Sequence, residues 1–358
     1  MKEDILKNLR EFLYNLVAIE TPSGSESPGI KYLKEILEEM GLSNIVTQFV
    51  SEDSLNLIVN PVKSPDLVIM THIDTIPPIA SARIIDEYTI AGTGSVDAKG
   101  GIAALYYALM KNPEVPSNVS IVIVSNEENT GMGCVKYLED YSPRRALVLE
   151  PTSLKLAFSS TGYLELKISL LGERRHPDLF VLVDDFEKRE DPIRRMFNLL
   201  KDLSQELSSL GIRFSITYVS AGEKNETYAT PERCDVIVNI PIPPSQTVAQ
   251  ILSRVASITA KYDAYYRVHD ISNPYINKDE EFMKQLKEVY RKVFEREPEI
   301  FVFPSWTDAT TTAERGIGSA IFGPGNPELA HTLMEKIDLR EVIKAGEYLL
   351  MLLKSMNP

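Results

Sequence analysis

Four short apolar runs in this chain each end in residues able to bind a metal ion. Val68-Ile69-Met70 leads into Thr71-His72-Ile73-Asp74, Ile121-Val122-Ile123-Val124 into Asn126-Glu127-Glu128, Leu147-Val148-Leu149 into Glu150-Pro151-Thr152, and Ala320-Ile321-Phe322 into a Gly-Pro-Gly turn followed by His331. Apolar runs this short, bounded by turn residues, read as strands buried on both faces, the kind found in parallel sheets covered by helices on either side. Ligands of such sheets lie at the carboxyl ends of the strands. The sequence therefore directs several carboxylates and two imidazoles into one crevice, which is the arrangement of a metal site able to do chemistry.

At 358 residues the chain exceeds what one ordinary core fills, since cores stop growing at roughly 250 to 300 residues, and it suits two domains. A net charge of -13 sets it against nucleic acid and against an anionic membrane surface, both of which would repel it. Its cysteines, Cys134 and Cys234, are too few for a disulfide framework and suit a reducing compartment. The start, Met1-Lys2-Glu3-Asp4, opens an amphipathic helix and lacks a signal peptide's apolar core, and no stretch approaches the ~20 apolar residues of a membrane span. The expectation is a soluble cytoplasmic protein.

Helical periodicity covers residues 4–18 and 27–40, after which strands alternate with helices as far as Glu150, including a helix over about 98–109. That alternation predicts an α/β domain: a mixed, mostly parallel sheet flanked by helices. After Thr161 the pattern changes. A half-exposed strand over 162–171, a helix over 191–210, strands over 212–219 and 234–242, a helix over 247–261 and a strand over 264–268 follow in the order of a split βαβ, ferredoxin-like α+β domain. The chain then returns to the first domain with a helix over 279–294, the strand at Ala320 and a helix over 339–353. The expected division is 1–161 with 274–358 as the catalytic domain and 162–273 as an inserted lid overhanging the crevice.

His72 and Asp74 are two apart, so a regular strand puts them on one face, where a carboxylate can orient a metal-bound imidazole. Alone, the pair is a weak signal, since a lone histidine at a strand end is more often a structural or surface residue. Asp97 lies in the glycine-dense turn Gly92-Thr93-Gly94-Ser95-Val96-Asp97-Ala98-Lys99-Gly100-Gly101. Lys99-Gly100 has the wrong order for a phosphate loop, which leaves a helix cap or a ligand. Glu127 and Glu128 share the crevice only if the chain leaves the strand there; one could then ligate metal while the other moves protons. Otherwise they are a solvated acidic pair. Two histidines with several carboxylates and no nearby thiolate suit zinc, cobalt or manganese, and five candidate ligands, His72, Asp97, Glu128, Glu150 and His331, suffice for two ions sharing one carboxylate.

Taken in order, Thr71-His72-Ile73-Asp74-Thr75-Ile76-Pro77, the turn carrying Asp97, Asn126-Glu127-Glu128, Glu150-Pro151-Thr152 and Ala330-His331 resemble the five signatures of the acetylornithine deacetylase, succinyl-diaminopimelate desuccinylase and aminoacylase family of metallohydrolases. The resemblance spans nearly the whole chain and implies a zinc-exopeptidase type of fold with an inserted lid that forms a homodimer. It implies that His72, Asp97 and Glu150 hold one metal and Asp97, Glu128 and His331 the other, with Asp97 bridging. By the same resemblance Glu127 is the general base for water activated by two metals, Asp74 orients His72, and the Asp97-Ala98 peptide is cis. His176 matches a lid histidine that reaches across the dimer to the oxyanion, and Asn225, Thr307 and Asp308 match residues near the substrate.

Two departures bear on substrate. The family's usual Gly-Arg-Gly before the bridging aspartate is Gly92-Thr93-Gly94 here, and the lid strand that normally carries an arginine for the substrate carboxylate reads Val238-Asn239-Ile240-Pro241-Ile242. A larger or differently anchored acyl-amino acid or peptide then becomes a candidate. The reading is an amidohydrolase of N-acyl amino acids, of acetylornithine or acetyl-lysine deacetylase type, in lysine or arginine biosynthesis, acting on a small molecule or on a carrier-protein-linked amino acid. Its alternatives are a dipeptidase or aminopeptidase of the same family and a non-catalytic metal-binding homologue.

Overall fold

A computed structural model describes residues 2–176, 191–222 and 228–356. These form two compact units, one of Met1–Ser159, Ile276–Phe303 and Thr307–Pro358, the other of Ser160–Tyr275 and Pro304–Trp306.

The first unit is built on a nine-stranded mixed sheet flanked by helices. At its centre Val119–Val124, Leu67–His72, Arg145–Val148 and Gly318–Ile321 run parallel, in that order across the sheet. Antiparallel strands extend it on both sides, Ile45–Ser51 and Ser54–Val59 on one and Leu156–Ser160 on the other. The four expected apolar runs are thus the parallel core. Their side chains divide with the period of two that a pleated strand imposes. Leu67, Ile69, Ile121, Ile123, Leu147 and Phe322 join the helices Lys2–Ala18, Lys99–Lys111, Glu280–Phe294 and Leu339–Ser355 in one apolar cluster. The alternate residues Val68, Met70, Val122, Val124, Val148 and Ile321 are buried on the other face. There Asp308–Glu314 lies against Arg145–Val148 and Gly318–Ile321, and Met132–Asp140 against Ile45–Ser51 and Ser54–Val59. Burial on both faces explains why the runs within these strands are continuously apolar instead of alternating.

Each expected strand end is followed by an abrupt change of direction. Beyond Ile321 the chain enters Phe322-Gly323, whose backbone lies so close to its neighbour that a Cβ on Gly323 would sit 2.4 Å from the Glu150 carbonyl oxygen. Thr152 Oγ1 accepts the Gly323 N–H at 3.0 Å, and the Leu154 N–H donates to the Gly323 carbonyl at 2.9 Å. The loop after Glu150 is therefore stapled to the loop after Ile321.

The second unit is a four-stranded antiparallel sheet in the order Ser215–Ala221, Arg233–Ile242, Gly162–Leu171, Tyr265–Ser272. Two helices, Pro192–Ser208 and Val248–Lys261, pack on it through Leu199, Leu203, Leu207, Ile251 and Val255, against Leu164, Leu166, Ile168, Val236, Val238 and Ile240. Strand, helix, two strands, helix, strand, with the first strand central, is the split βαβ order. Asp191 starts the first helix by accepting the Arg194 N–H, and Thr247 with Gln250 starts the second through a capping box. The strand expected over 212–219 runs from Ser215 to Ala221, because Gly211 with Ile212 closes the preceding helix, the Ile212 N–H donating to Leu207.

Gly323→Ala forces a Cβ onto backbone that cannot yield, so it should lower unfolding stability by about 1 to 3 kcal/mol, the usual range for overpacking. A shift of the urea midpoint with an unchanged slope would show it; an unshifted midpoint would mean that the two loops are not packed as described.

Candidate metal centre

His72 is the last residue of its strand and pairs with Val124 of the neighbour, so the segments that follow both strands leave the sheet edge together. Asn126 takes a left-handed backbone, φ 62°, which asparagine tolerates better than most residues. A short helical turn, Glu127–Thr130, begins directly after it. This is how two consecutive glutamates escape the strand alternation that would send them to opposite faces. The N–H groups at the start of that turn are held by buried carboxylates. Asn126 donates to Glu26 Oε1 at 2.9 Å, Glu127 to Asp74 Oδ1 at 3.0 Å and Glu128 to Asp74 Oδ2 at 3.0 Å. Ser23 Oγ adds a bond to Asp74 Oδ2 at 2.8 Å.

The ligand candidates converge as two groups that share one residue. Donor atoms of His72, Asp97 and Glu150 lie within 4.8 Å of one another, as do those of Asp97, Glu128 and His331. His72 Nε2 is 3.1 Å from Asp97 Oδ1 and 3.7 Å from Glu150 Oε2. His331 Nε2 is 2.9 Å from Glu128 Oε1 and 3.4 Å from Asp97 Oδ2. On the far side of the His72 ring, Nδ1 faces the Asp74 carbonyl oxygen at 3.1 Å and its carboxylate at 3.6 Å. The Asp97-Ala98 peptide bond is cis.

Without cations, the charge in this crevice is balanced by protons. Burial pushes the Glu127 carboxyl well above the usual carboxylate range; His72 pulls it down, while Glu150, Asp308 and Glu128 push it further up. Burial likewise lifts Glu150 to about 8 and Asp308 to about 7. Burial opposes charge on Asp97 too, but hydrogen bonds from His331 and His72 hold it well below the usual range. His331 is raised to about 10 by its bonds to Asp97 and Glu128. His72 is raised although burial works against it, because Glu127, Asp74, Asp97 and Glu150 surround the ring.

These residues fit divalent cations. Imidazole nitrogens and carboxylate oxygens without thiolate are the donors that zinc, cobalt and manganese accept. Among the described residues, Glu150 Oε1 is buried with no hydrogen-bond partner, a cost that a cation would remove. Cys134 is buried, with burial pushing its thiol well up, so a thiolate ligand is not on offer.

The other predicted residues are placed as follows. Thr307 Oγ1 accepts the Ala309 N–H at 3.0 Å and caps the helix Asp308–Glu314, so its hydroxyl oxygen is already engaged. Asp308 is fully buried, and its Oδ1 has no partner among the described residues. His176 is exposed in the second unit, and the preceding Arg175 N–H is anchored on Thr230 Oγ1 at 3.0 Å. Asn225 lies outside the described residues. Sequence reasoning missed Glu26. A single glutamate after Ser23-Gly24-Ser25 looks solvated until its partner, 100 residues away, is known.

Comparison with known proteins agrees with this geometry. Residues 68–355 match peptidase family M20/M25/M40. A Thermococcus kodakarensis protein named provisionally as a LysW-lysine/LysW-ornithine hydrolase is 25% identical over 351 residues, covering 97% of this chain and 92% of that one. A tripeptidase from Staphylococcus aureus has the same fold, with TM-score 0.81 at 18% identity, covering 99% and 98% of the two chains. An M20 family metallo-carboxypeptidase from Sulfolobus solfataricus aligns with TM-score 0.71 at 17% identity, covering 98% of each.

Because His331 keeps its proton up to about 10 and Glu150 up to about 8, a cation binding at neutral pH must displace protons. Both groups have raised values, so affinity should rise with pH through the neutral range, by up to about tenfold per unit for each proton released. Calorimetry of cobalt binding in buffers of different ionisation heat would count the protons; zero release would contradict the protonated crevice.

Proposed function

We propose that this chain, which belongs to peptidase family M20/M25/M40, cleaves the amide bond between an acyl or carrier-borne carboxyl group and the amino group of a basic amino acid. Membership makes it a hydrolase acting on amide or peptide bonds. The observation that carries the finer reading is the position of Glu127. It is buried against both ligand groups, belongs to neither, and its backbone is fixed by Asp74.

In this reading His72, Asp97 and Glu150 hold one cation and Asp97, Glu128 and His331 the other, zinc being the first choice and cobalt or manganese the others. When bound, such a pair supplies Lewis acidity, lowering the pKa of water and polarising a scissile carbonyl. Glu127 takes the proton as water oxygen bonds to the carbonyl carbon. It returns that proton to the amide nitrogen as the C–N bond breaks, so that acid and amine are the products. Burial suits it to this exchange, because a carboxyl whose pKa is raised holds the proton it has taken more firmly than a solvated one does. Asp74 holds the His72 ring and the Glu127-Glu128 backbone together. His176 is assigned to the oxyanion, and Asn225, Thr307 and Asp308 to substrate contact.

The substrate assignment rests on two points. Val238–Ile242 carries no arginine for a free α-carboxylate, and the Thermococcus relative is named provisionally as a LysW-lysine/LysW-ornithine hydrolase. A carrier-linked lysine or ornithine is therefore placed ahead of acetylornithine. Among the described residues no helix is long and apolar enough to cross a membrane.

A homodimer through the second unit is part of the proposal. Ser215–Ala221 is an edge strand with Ile216, Tyr218 and Val219 exposed, and Phe197 on the adjoining helix is 68% exposed. An apolar sheet edge of this kind seeks a partner.

The reaction is tested on metal-free protein with zinc, cobalt or manganese added back, against N-acetyl and N-succinyl amino acids, dipeptides and carrier-linked lysine. Metal-dependent amine release from one acyl class names the substrate. Activity confined to peptides with a free amino terminus would make it a peptidase instead. Glu127→Ala should lower kcat by at least ~10²-fold while two ions still bind; a variant keeping most of its activity would remove Glu127 from the role of base. Val219→Lys should turn a dimer into a monomer in light scattering, and a monomeric unaltered protein would end the dimer reading.

A further inference from the structure

One buried carboxylate ties the turn that carries Asp97 to the segment that carries His331. Glu335 is 3% exposed and receives three backbone N–H groups from that turn. Gly94 donates to Oε2 at 3.0 Å, Val96 to Oε1 at 2.9 Å and Asp97 to Oε1 at 3.0 Å. The Glu335 main chain joins in, its carbonyl accepting the Gly92 N–H at 3.1 Å. Directly afterwards Lys336, Ile337 and Asp338 pair with Ala91, Ile90 and Thr89 in an antiparallel ladder. The ladder thus runs up to the turn, and the Glu335 side chain completes it where main-chain pairing ends.

His331 stands only four residues before Glu335, between the turn Pro327–Leu329 and the strand Lys336–Asp338. Its backbone is left-handed, φ 61°, and its side chain is 46% exposed. Around this segment the bonds are local: Thr332 Oγ1 donates to Leu329 O, Met334 N donates to Thr332 Oγ1, and Glu335 N donates to Thr332 O. Glu335 thus joins the segment that carries His331 to the turn that carries Asp97.

We propose that Glu335 is a positioning residue that sets the spacing of Asp97 and His331, and so completes the second ligand group, Asp97 with Glu128 and His331. A carboxylate is the side chain the place requires. Three N–H donors converge from one turn, and two charged oxygens with about four acceptor sites can take them all. A glutamine would turn its own NH2 toward Gly94 or toward Val96 and Asp97, opposing donor with donor. Partners of this kind, one step removed from a cation, are commonly worth 10- to 100-fold in metal affinity.

The inference rests on the reading that both groups hold cations, and the test separates the two. Cobalt(II) alone is titrated into the metal-free full-length protein, with calorimetry and visible absorption as readouts. Unaltered protein should bind two ions. In Glu335→Gln one of the two should bind about 10- to 100-fold more weakly, with a changed cobalt spectrum. Glu335→Asp, which keeps the charge but is one methylene shorter, should move both readouts the same way, and it carries the test if the glutamine variant does not fold. Leu203→Ala, in the core of the other unit, controls for lost stability and should leave both affinities in place. Fewer than two ions in the unaltered protein would sink the two-cation reading. Two ions there, with binding unchanged in the Glu335 variants and only a lower melting temperature, would sink the positioning role alone.

Discussion

The structure is organised around too many buried carboxylates in one place. Asp74, Asp97, Glu127, Glu150 and Asp308 gather about His72, three of them just beyond parallel strands, Asp97 from the glycine-dense turn before Lys99–Lys111 and Asp308 from the start of the helix Asp308–Glu314. Charges removed from water must be paired or neutralised. Here each is settled differently. Asp74 accepts backbone N–H groups and faces an imidazole, and its carboxyl stays below the usual range although burial opposes it. Asp97 lies between two imidazoles. Glu127, Glu150 and Asp308 are left to hold protons. That unequal division separates a carboxylate that stays ionised from those whose protons can be exchanged for cations or passed to a substrate.

Asp74 does more than its spacing from His72 suggested. Its carboxylate is 3.6 Å from the ring nitrogen but 3.0 Å from each of two N–H groups in the Glu127–Glu128 turn. One buried side chain thus sets the ring of one candidate ligand, the backbone of another and the backbone of the candidate base. Glu26 extends the same device by one residue, to Asn126. Asparagine tolerates the left-handed backbone at position 126, and Glu26 holds its N–H in that direction.

Much of this was legible in the sequence, for a physical reason. A parallel strand buried on both faces is largely apolar, so the polar residues that close the runs at Met70, Val124 and Leu149 stand at the sheet edge, where the crevice begins. The second unit was equally legible, because one face of its sheet packs on helices and Gly162–Leu171 therefore alternates in burial along its length. The clamps were not. Glu26 and Glu335 act on backbone groups 100 and about 240 residues away, and a lone glutamate has the same local pattern whether it is buried against N–H groups or solvated. The short strand Ile300–Phe303 was missed as well, because it is half-exposed and only four residues long.

The two ligand groups differ in how firmly the fold holds them. His72 and Glu150 follow adjacent strands in register, Met70 opposite Val148, and both side chains are buried by the sheet and the helices on it. His331 comes from a loop, in a left-handed conformation, with its ring half exposed. Sites carried on strands keep their geometry more closely than sites carried on loops. The first group is therefore the rigid one, and the second depends on the ties that bring its loop to Asp97. His72 and Glu150 keep Asp97 within reach from the sheet side, so the contact that matters most to the second group is the one joining the His331 segment to the Asp97 turn. Glu335 makes that contact, so the spacing within the second group depends on a residue that neither group contains.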